Sequence, residues 1–233
     1  MRSTACFLSC LAAPLAVLIA GCDRNGASDF PTVDRMTAGI FLDDSERGLL
    51  PPGMELRPVH DKGIDLTKTS EGFRSNLYND AAGYCTIAYG HLLKRSKCDG
   101  TEPPPFLRGV TEPQGTELLV EDMAGAQVTV MTSVDAGLTD AQYAALCDFV
   151  FNVGSKNFRS STLLAVVNAG DFPSVPFQLR RWVYAGGREL PGLKTRRESE
   201  IELFFDGLPI PRAAPPEGMD LGPIDIRTGE VRD

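Results

Sequence analysis

The spacing of apolar positions changes along the chain. A short helical pattern covers residues 63–71. Two alternating runs follow, 76–80 and 84–89, on either side of Ala81-Ala82-Gly83. Gly83 supplies the positive φ that a three-residue hairpin loop requires. Beyond residue 110 the period becomes helical. Thr111-x-x-Gln114 has the form of a capping box, and Leu118, Leu119, Met123, Ala126 and Val130 then fall near one face. A second capping box, Thr139-x-x-Gln142, precedes a stripe of Tyr143, Leu146, Cys147, Val150 and Phe151, which Gly154 closes. Further helices are expected over 161–168, ending at Gly170, and over 195–205 with Ile201, Phe204 and Phe205 inward. A hairpin-bearing part followed by a helical part is an α+β order.

The flanks read differently. Residues 1–21 combine Arg2, an apolar stretch and Ile19-Ala20-Gly21 directly before Cys22. The apolar stretch is shorter than the roughly 20 residues of a membrane-spanning helix. It reads as a leader, and the last residues resemble a bacterial lipobox. That resemblance implies cleavage before Cys22, lipidation of its thiol, and an exported protein anchored to a bacterial membrane on its periplasmic side. An ordinary secretory leader and an uncleaved anchor are the competing readings. Residues 22–57 are expected to be a flexible tether, 58–207 the compact domain, and 208–233 a Pro-rich acidic tail with little core of its own. A formal charge of −8 argues against a nucleic-acid partner, which needs a basic surface.

Candidate chemistry gathers at the hairpin. If Asp80 pairs with Tyr84, then Tyr78 pairs with Thr86, and period-two alternation puts these four side chains on one face. Cys85, Ile87 and Tyr89 take the other face, and a one-residue slip would separate Asp80 from Thr86. Glu71, at the end of the preceding helix, is tied to this face by a short connection. Two carboxyls beside a cleft are the minimum for glycoside hydrolysis, one protonated to give its proton and one ionised. A threonine hydroxyl can position water. On spacing alone, such a trio is more often a solvated surface than a site.

The motifs around these residues resemble a known family. Thr69-Ser70-Glu71-Gly72-Phe73, Tyr78-Asn79-Asp80, Gly83 and Thr86-Ile87-Ala88-Tyr89-Gly90-His91 look like the phage-type lysozyme signature, E-x8-D-x5-T. Phe151-Asn152-Val153-Gly154, Asn157 through Leu163, and Leu190 through Glu198 resemble its helical half, so the likeness covers roughly 60–207. It implies a two-lobed fold with the cleft between lobes. It also implies hydrolysis, with inversion, of the β-1,4 bond from N-acetylmuramic acid to N-acetylglucosamine in peptidoglycan. Glu71 would be the general acid, Asp80 the base or electrostatic stabiliser, and Thr86 the residue holding water. Inverting enzymes space their carboxyls about 6.5–9.5 Å apart. Leu92, Phe151 and Ser161 match sugar-contacting positions of the family. Ala88 departs from it, standing where glycine is usual.

The remaining residues add less. His91 is expected to make a structural hydrogen bond or ion pair. With only His60 beside it, a histidine zinc site is not expected, nor any other metal or cofactor. Cys147 reads as a buried thiol, and Cys85 and Cys98 as cysteines that either bridge or stay free. Lys194, Arg196 and Arg197 read as the solvated side of a helix balanced by Glu198, Glu200 and Glu202, and Trp182 as core. A monomer is expected. Two alternatives remain: a non-catalytic envelope lipoprotein that grips glycan, and a lytic transglycosylase cutting the same bond without water.

Overall fold

The computed structural model describes residue 50, residues 53–212 and residues 222–232; Cys22, the leader and nearly all of the expected tether lie outside them. In chain order the elements are α1 (Asp61–Glu71), β1 (Arg74–Asn79), β2 (Cys85–Ala88), β3 (His91–Lys94), α2 (Pro104–Leu107), α3 (Glu112–Asp122), α4 (Ala124–Ser133), α5 (Asp140–Val153), α6 (Ser155–Arg159), α7 (Thr162–Asn168), α8 (Val175–Arg180), β4 (Tyr184–Ala185), β5 (Arg188–Glu189) and α9 (Pro191–Phe205). The fold is α+β. Among the described residues no helix is long and apolar enough to cross a membrane.

The hairpin takes the expected register. Tyr78 pairs with Thr86 and Asn79 with Cys85, and the Asp80 N–H donates to the Tyr84 carbonyl at 2.9 Å. Gly83 has φ +83°. A third strand, β3, pairs with β2 and makes β2 central in an antiparallel sheet. The alternation rule did not reveal β3 because His91, Leu92 and Leu93 are all buried, so the strand carries no exposed position to mark its period. Cys85 and Cys98 form a disulfide. A loop of this size is tightened by about 3 kcal/mol through lost freedom of the unfolded chain. Just past the bridge, the Lys94 ammonium, 2.7 Å away, holds the Glu102 carboxyl down to about 2 against the effect of burial, helped by the Asp99 and Gly100 N–H groups.

Ala88 explains why glycine is usual at its position. Its φ is +56°, a left-handed conformation that costs a residue with a Cβ about 1–2 kcal/mol. The methyl is fully buried. A Cβ on Gly115 would approach it to 3.1 Å and the Phe73 ring to 2.7 Å. Gly115 therefore makes room for Ala88, whose methyl packs between β2 and α3.

Both capping boxes form, with Thr111 and Gln114, and Thr139 and Gln142, each exchanging side-chain and backbone bonds. The pattern from Leu118 to Val130 is divided into α3 and α4 at Met123. Helix α5 is the centre of the helical part and packs on α1, α4 and α9. Its apolar stripe understates its burial, since Ala141, Ala144, Asp148, Phe149 and Asn152 are buried as well. At the α1–α5 crossing a Cβ on Gly63 would meet the Ala144 Cβ at 2.7 Å, so glycine sets the approach. Trp182 is core, edge-on to Phe149 at 5.4 Å, and Cys147 is a buried free thiol.

Residues 222–232 dock onto the domain. Ile224 and Asp225 are buried. Asp225 bridges to Tyr184 as a parallel strand pair and accepts the N–H of Gly187 at 2.8 Å. Arg181 donates to the Gly222 carbonyl and Asn157 to that of Ile226. One acidic side chain satisfying backbone donors gives this polar segment a seat that composition does not display.

Candidate active site

Helix α1 delivers Glu71 as its last residue. Gly72, at φ +72°, ends the helix there, its N–H donating to the Lys68 carbonyl. The Glu71 side chain is about a quarter exposed, and its Oε1 accepts from Arg196 Nη1 at 2.7 Å. Arg196 is itself anchored. Its Nε and Nη2 donate to the two oxygens of Asp148, each at 2.9 Å, and Thr67 on α1 donates to Asp148 Oδ1 at 2.7 Å. Asp148 is fully buried. Burial alone would raise its carboxyl, but the Arg196 guanidinium overcomes that and holds it below the ordinary range.

The hairpin delivers the other residues. Asp80 Oδ1 accepts the N–H groups of Ala82 at 2.8 Å and Tyr84 at 2.9 Å. This Asx-type turn fixes the carboxylate and leaves Oδ2 without a protein partner among the described residues. Thr86 is buried, and its hydroxyl donates to the Tyr84 carbonyl at 3.1 Å. Tyr78 stands opposite Thr86, and Arg74 stacks on its ring at 4.3 Å. Burial raises the Tyr78 phenol, Arg74 opposes that, and the charges of Asp80 and Glu71 both add to it. The Tyr78 phenol is thus under the charge of both Asp80 and Glu71.

The other expected site residues are placed less directly. Leu92 is buried and pairs with Thr86 in the sheet. Phe151 is half-buried on α5. The Ser161 hydroxyl caps α7, accepting from the Leu164 N–H at 3.1 Å and donating to the Phe158 carbonyl at 2.7 Å. A groove of about 600 Å³ between α1 and α9 reaches Ser70 and Arg196 but neither Asp80 nor Thr86. Among the described residues, the one cluster with three potential metal-binding atoms is Cys85, Cys98 and Glu102. Its sulfurs are joined in the disulfide, so no thiolate is offered.

The basic run on α9 is solvated only at its first residue. Lys194 is exposed and pairs with Glu189, but Arg196 and Arg197 are buried. Arg197 lies over the Phe149 ring at 4.8 Å, bonds Asn152, and is 3.1 Å from Glu200. Burial pushes the Glu200 carboxyl well above its ordinary range, against the pull of Arg197. Periodicity carried the signal: Leu193, Arg197, Ile201 and Phe204 are spaced as one inward face. Asp148, an acid inside the apolar run Cys147–Phe149–Val150, was the matching sign of a buried cation nearby.

Residues 68–200 match the family described as phage lysozyme. The chain belongs to the phage lysozyme family. This lysozyme is a glycoside hydrolase whose substrate is peptidoglycan. It is 38% identical over 137 residues to a SAR-endolysin of Bacteriophage PS119, covering 59% of this chain and 77% of that one. It is 35% identical over 150 residues to an endolysin of Acyrthosiphon pisum secondary endosymbiont phage 1, covering 63% and 97%. Among solved structures it resembles the muramidase domain of SpmX from Asticaccaulis excentricus, with 30% identity, a TM-score of 0.55, and coverage of 64% of this chain and 98% of that one.

His91 has the structural role expected of it. Its Nδ1 lies 3.0 Å from Asp122, joining β3 to α3 in a buried pair. Burial pulls the imidazole down, but the charge and hydrogen bond of Asp122 outweigh it, so the folded value is raised. The stabilisation is therefore full below about pH 6.5, the unfolded value, and is lost as pH rises through the higher folded value. The stability difference between the lysozyme and Asp122→Asn, measured by urea unfolding, is expected to be larger at pH 6 than at pH 9. An equal difference at both would contradict the pair.

Proposed function

We propose that this lysozyme hydrolyses the β-1,4 bond between N-acetylmuramic acid and N-acetylglucosamine with inversion. Glu71 protonates the leaving oxygen. Asp80 draws a proton from water or stabilises positive charge on the sugar, and Thr86 positions that water. The observation that supports the reading most is the hairpin register, which sets Thr86 opposite Tyr78 next to the turn that fixes Asp80, with the charges of Asp80 and Glu71 both acting on the Tyr78 phenol. Two carboxyls on separate elements, one held by a guanidinium and one by backbone N–H groups, suit the two separate roles that inversion needs. Proton NMR of the first reducing ends released from peptidoglycan fragments reads the outcome. The α-anomer is expected, and an initial β-anomer would mean retention and a different role for Asp80.

We also infer that the chain is exported and anchored through a lipid on Cys22, and that it acts as a monomer facing the periplasm. The Ile19-Ala20-Gly21-Cys22 sequence supports the anchor. The Cys85–Cys98 disulfide supports an oxidising compartment, and relatives described as SAR-endolysins agree with export.

A further inference from the structure

We propose that Asp148 is a positioning residue for Glu71, which takes up the charge of Arg196 so that Glu71 can carry a proton in the working pH range. This rests on the reading of Glu71 as the general acid. The geometry states the problem. A general acid must be protonated when it acts, yet a guanidinium nitrogen lies 2.7 Å from Glu71 Oε1. An unbalanced cation at that distance favours the carboxylate and opposes the acid form.

Asp148 supplies the balance. It occupies two of the three guanidinium nitrogens in a bidentate pair, leaving one N–H for Glu71. That pair is buried, where charge is weakly screened. Thr67, one turn before Glu71 on α1, fixes Asp148 Oδ1. The other groups around this centre come from three elements. On α9, Glu200 lies 3.9 Å from Arg196 Nε, and Arg197 lies beyond it beside Glu200. From the sheet come Tyr78, whose phenol the Glu71 charge acts on, and Asp80, which acts on the same phenol. On α1, Glu71 sits at the helix end, whose free carbonyls oppose negative charge. None of these takes two hydrogen bonds from Arg196 as Asp148 does. Asp148 touches no reacting atom; it acts through Arg196.

The test is the pH profile of kcat/KM on peptidoglycan fragments. In Asp148→Asn the guanidinium loses its counter-charge but keeps an acceptor. The alkaline limb, set by loss of the Glu71 proton, is expected to move to lower pH by about one unit or more. Activity above the limb then falls about tenfold, while activity well below it changes little. If Asp148→Asn does not fold, the double variant Asp148→Asn/Arg196→Met removes both charges together. Its limb is expected at or above the wild-type position, with a lower kcat because Glu71 loses its anchor. A uniform loss at every pH in Asp148→Asn, or a limb in the double variant below the wild-type one, would overturn the proposal. Glu71→Gln separates the two readings. If it is inactive while the Asp148→Asn limb stays in place, only the role of Asp148 fails. If it remains active, the assignment of Glu71 fails and this proposal with it.

Discussion

Glu71→Gln is expected to slow peptidoglycan hydrolysis by about 10²–10⁴-fold, the usual contribution of a positioned general acid. The change is small in every other respect. Glutamine keeps the shape of the side chain, and its carbonyl oxygen can accept the Arg196 N–H that Oε1 accepts at 2.7 Å. What it lacks is a carboxylic proton for the leaving oxygen. Glycan binding and thermal stability should therefore stay near the wild-type values, which distinguishes lost chemistry from lost fold. Glu71 is only partly buried, so neutralising it strands no deeply buried partner: Arg196 keeps Asp148. Rates of fragment release and a thermal melt on the same samples check both halves of the expectation.

Arg196→Met should have the largest effect on stability. The guanidinium is shared by a buried carboxylate and the Glu71 carboxyl, and its side chain is almost wholly enclosed. Removing it leaves Asp148 charged and buried, with Thr67 and the neighbouring Glu200 as its remaining polar support and no cation paired with it. Breaking one side of a buried ion pair costs about 3–5 kcal/mol. In a domain of this size that lowers the melting temperature by roughly 10 °C. Lysine should restore only part of the loss, since one ammonium cannot copy the fork that meets Asp148 with two N–H groups and Glu71 with a third. Urea unfolding of the wild type, Arg196→Met and Arg196→Lys measures the series. Equal stability of the three would show that the pair contributes nothing net.

These two residues also show where the sequence was legible and where it was not. Glu71, Asp80 and Thr86 could be placed because local rules govern them: a helix closed by Gly72, and a hairpin whose register follows from a three-residue loop. The register was right because Gly83 takes the positive φ and the Asx turn of Asp80 closes the loop. Both capping boxes were visible for the same reason, since they involve residues three apart. Arg196 was misjudged because its partners lie 48 and 125 positions away, on α5 and α1. A surface charge balance and a buried charge network look alike when charges are counted along one helix; only the apolar residues at the same spacing tell them apart. β3 and the docked segment around Asp225 were missed for a related reason. One is buried at three consecutive positions, and the other depends on a single side chain meeting distant backbone N–H groups. Ala88 was noticed as a departure from the family pattern, but its cause needed the backbone angle.

The central claim is hydrolysis by water at the site formed by Glu71, Asp80 and Thr86. The most direct measurement is mass spectrometry of the fragments that residues 23–233 release from purified peptidoglycan. Fragments ending in reducing N-acetylmuramic acid are the predicted result. Anhydro-muramic ends would contradict it, because they form without water and would leave Asp80 and Thr86 without the task assigned to them.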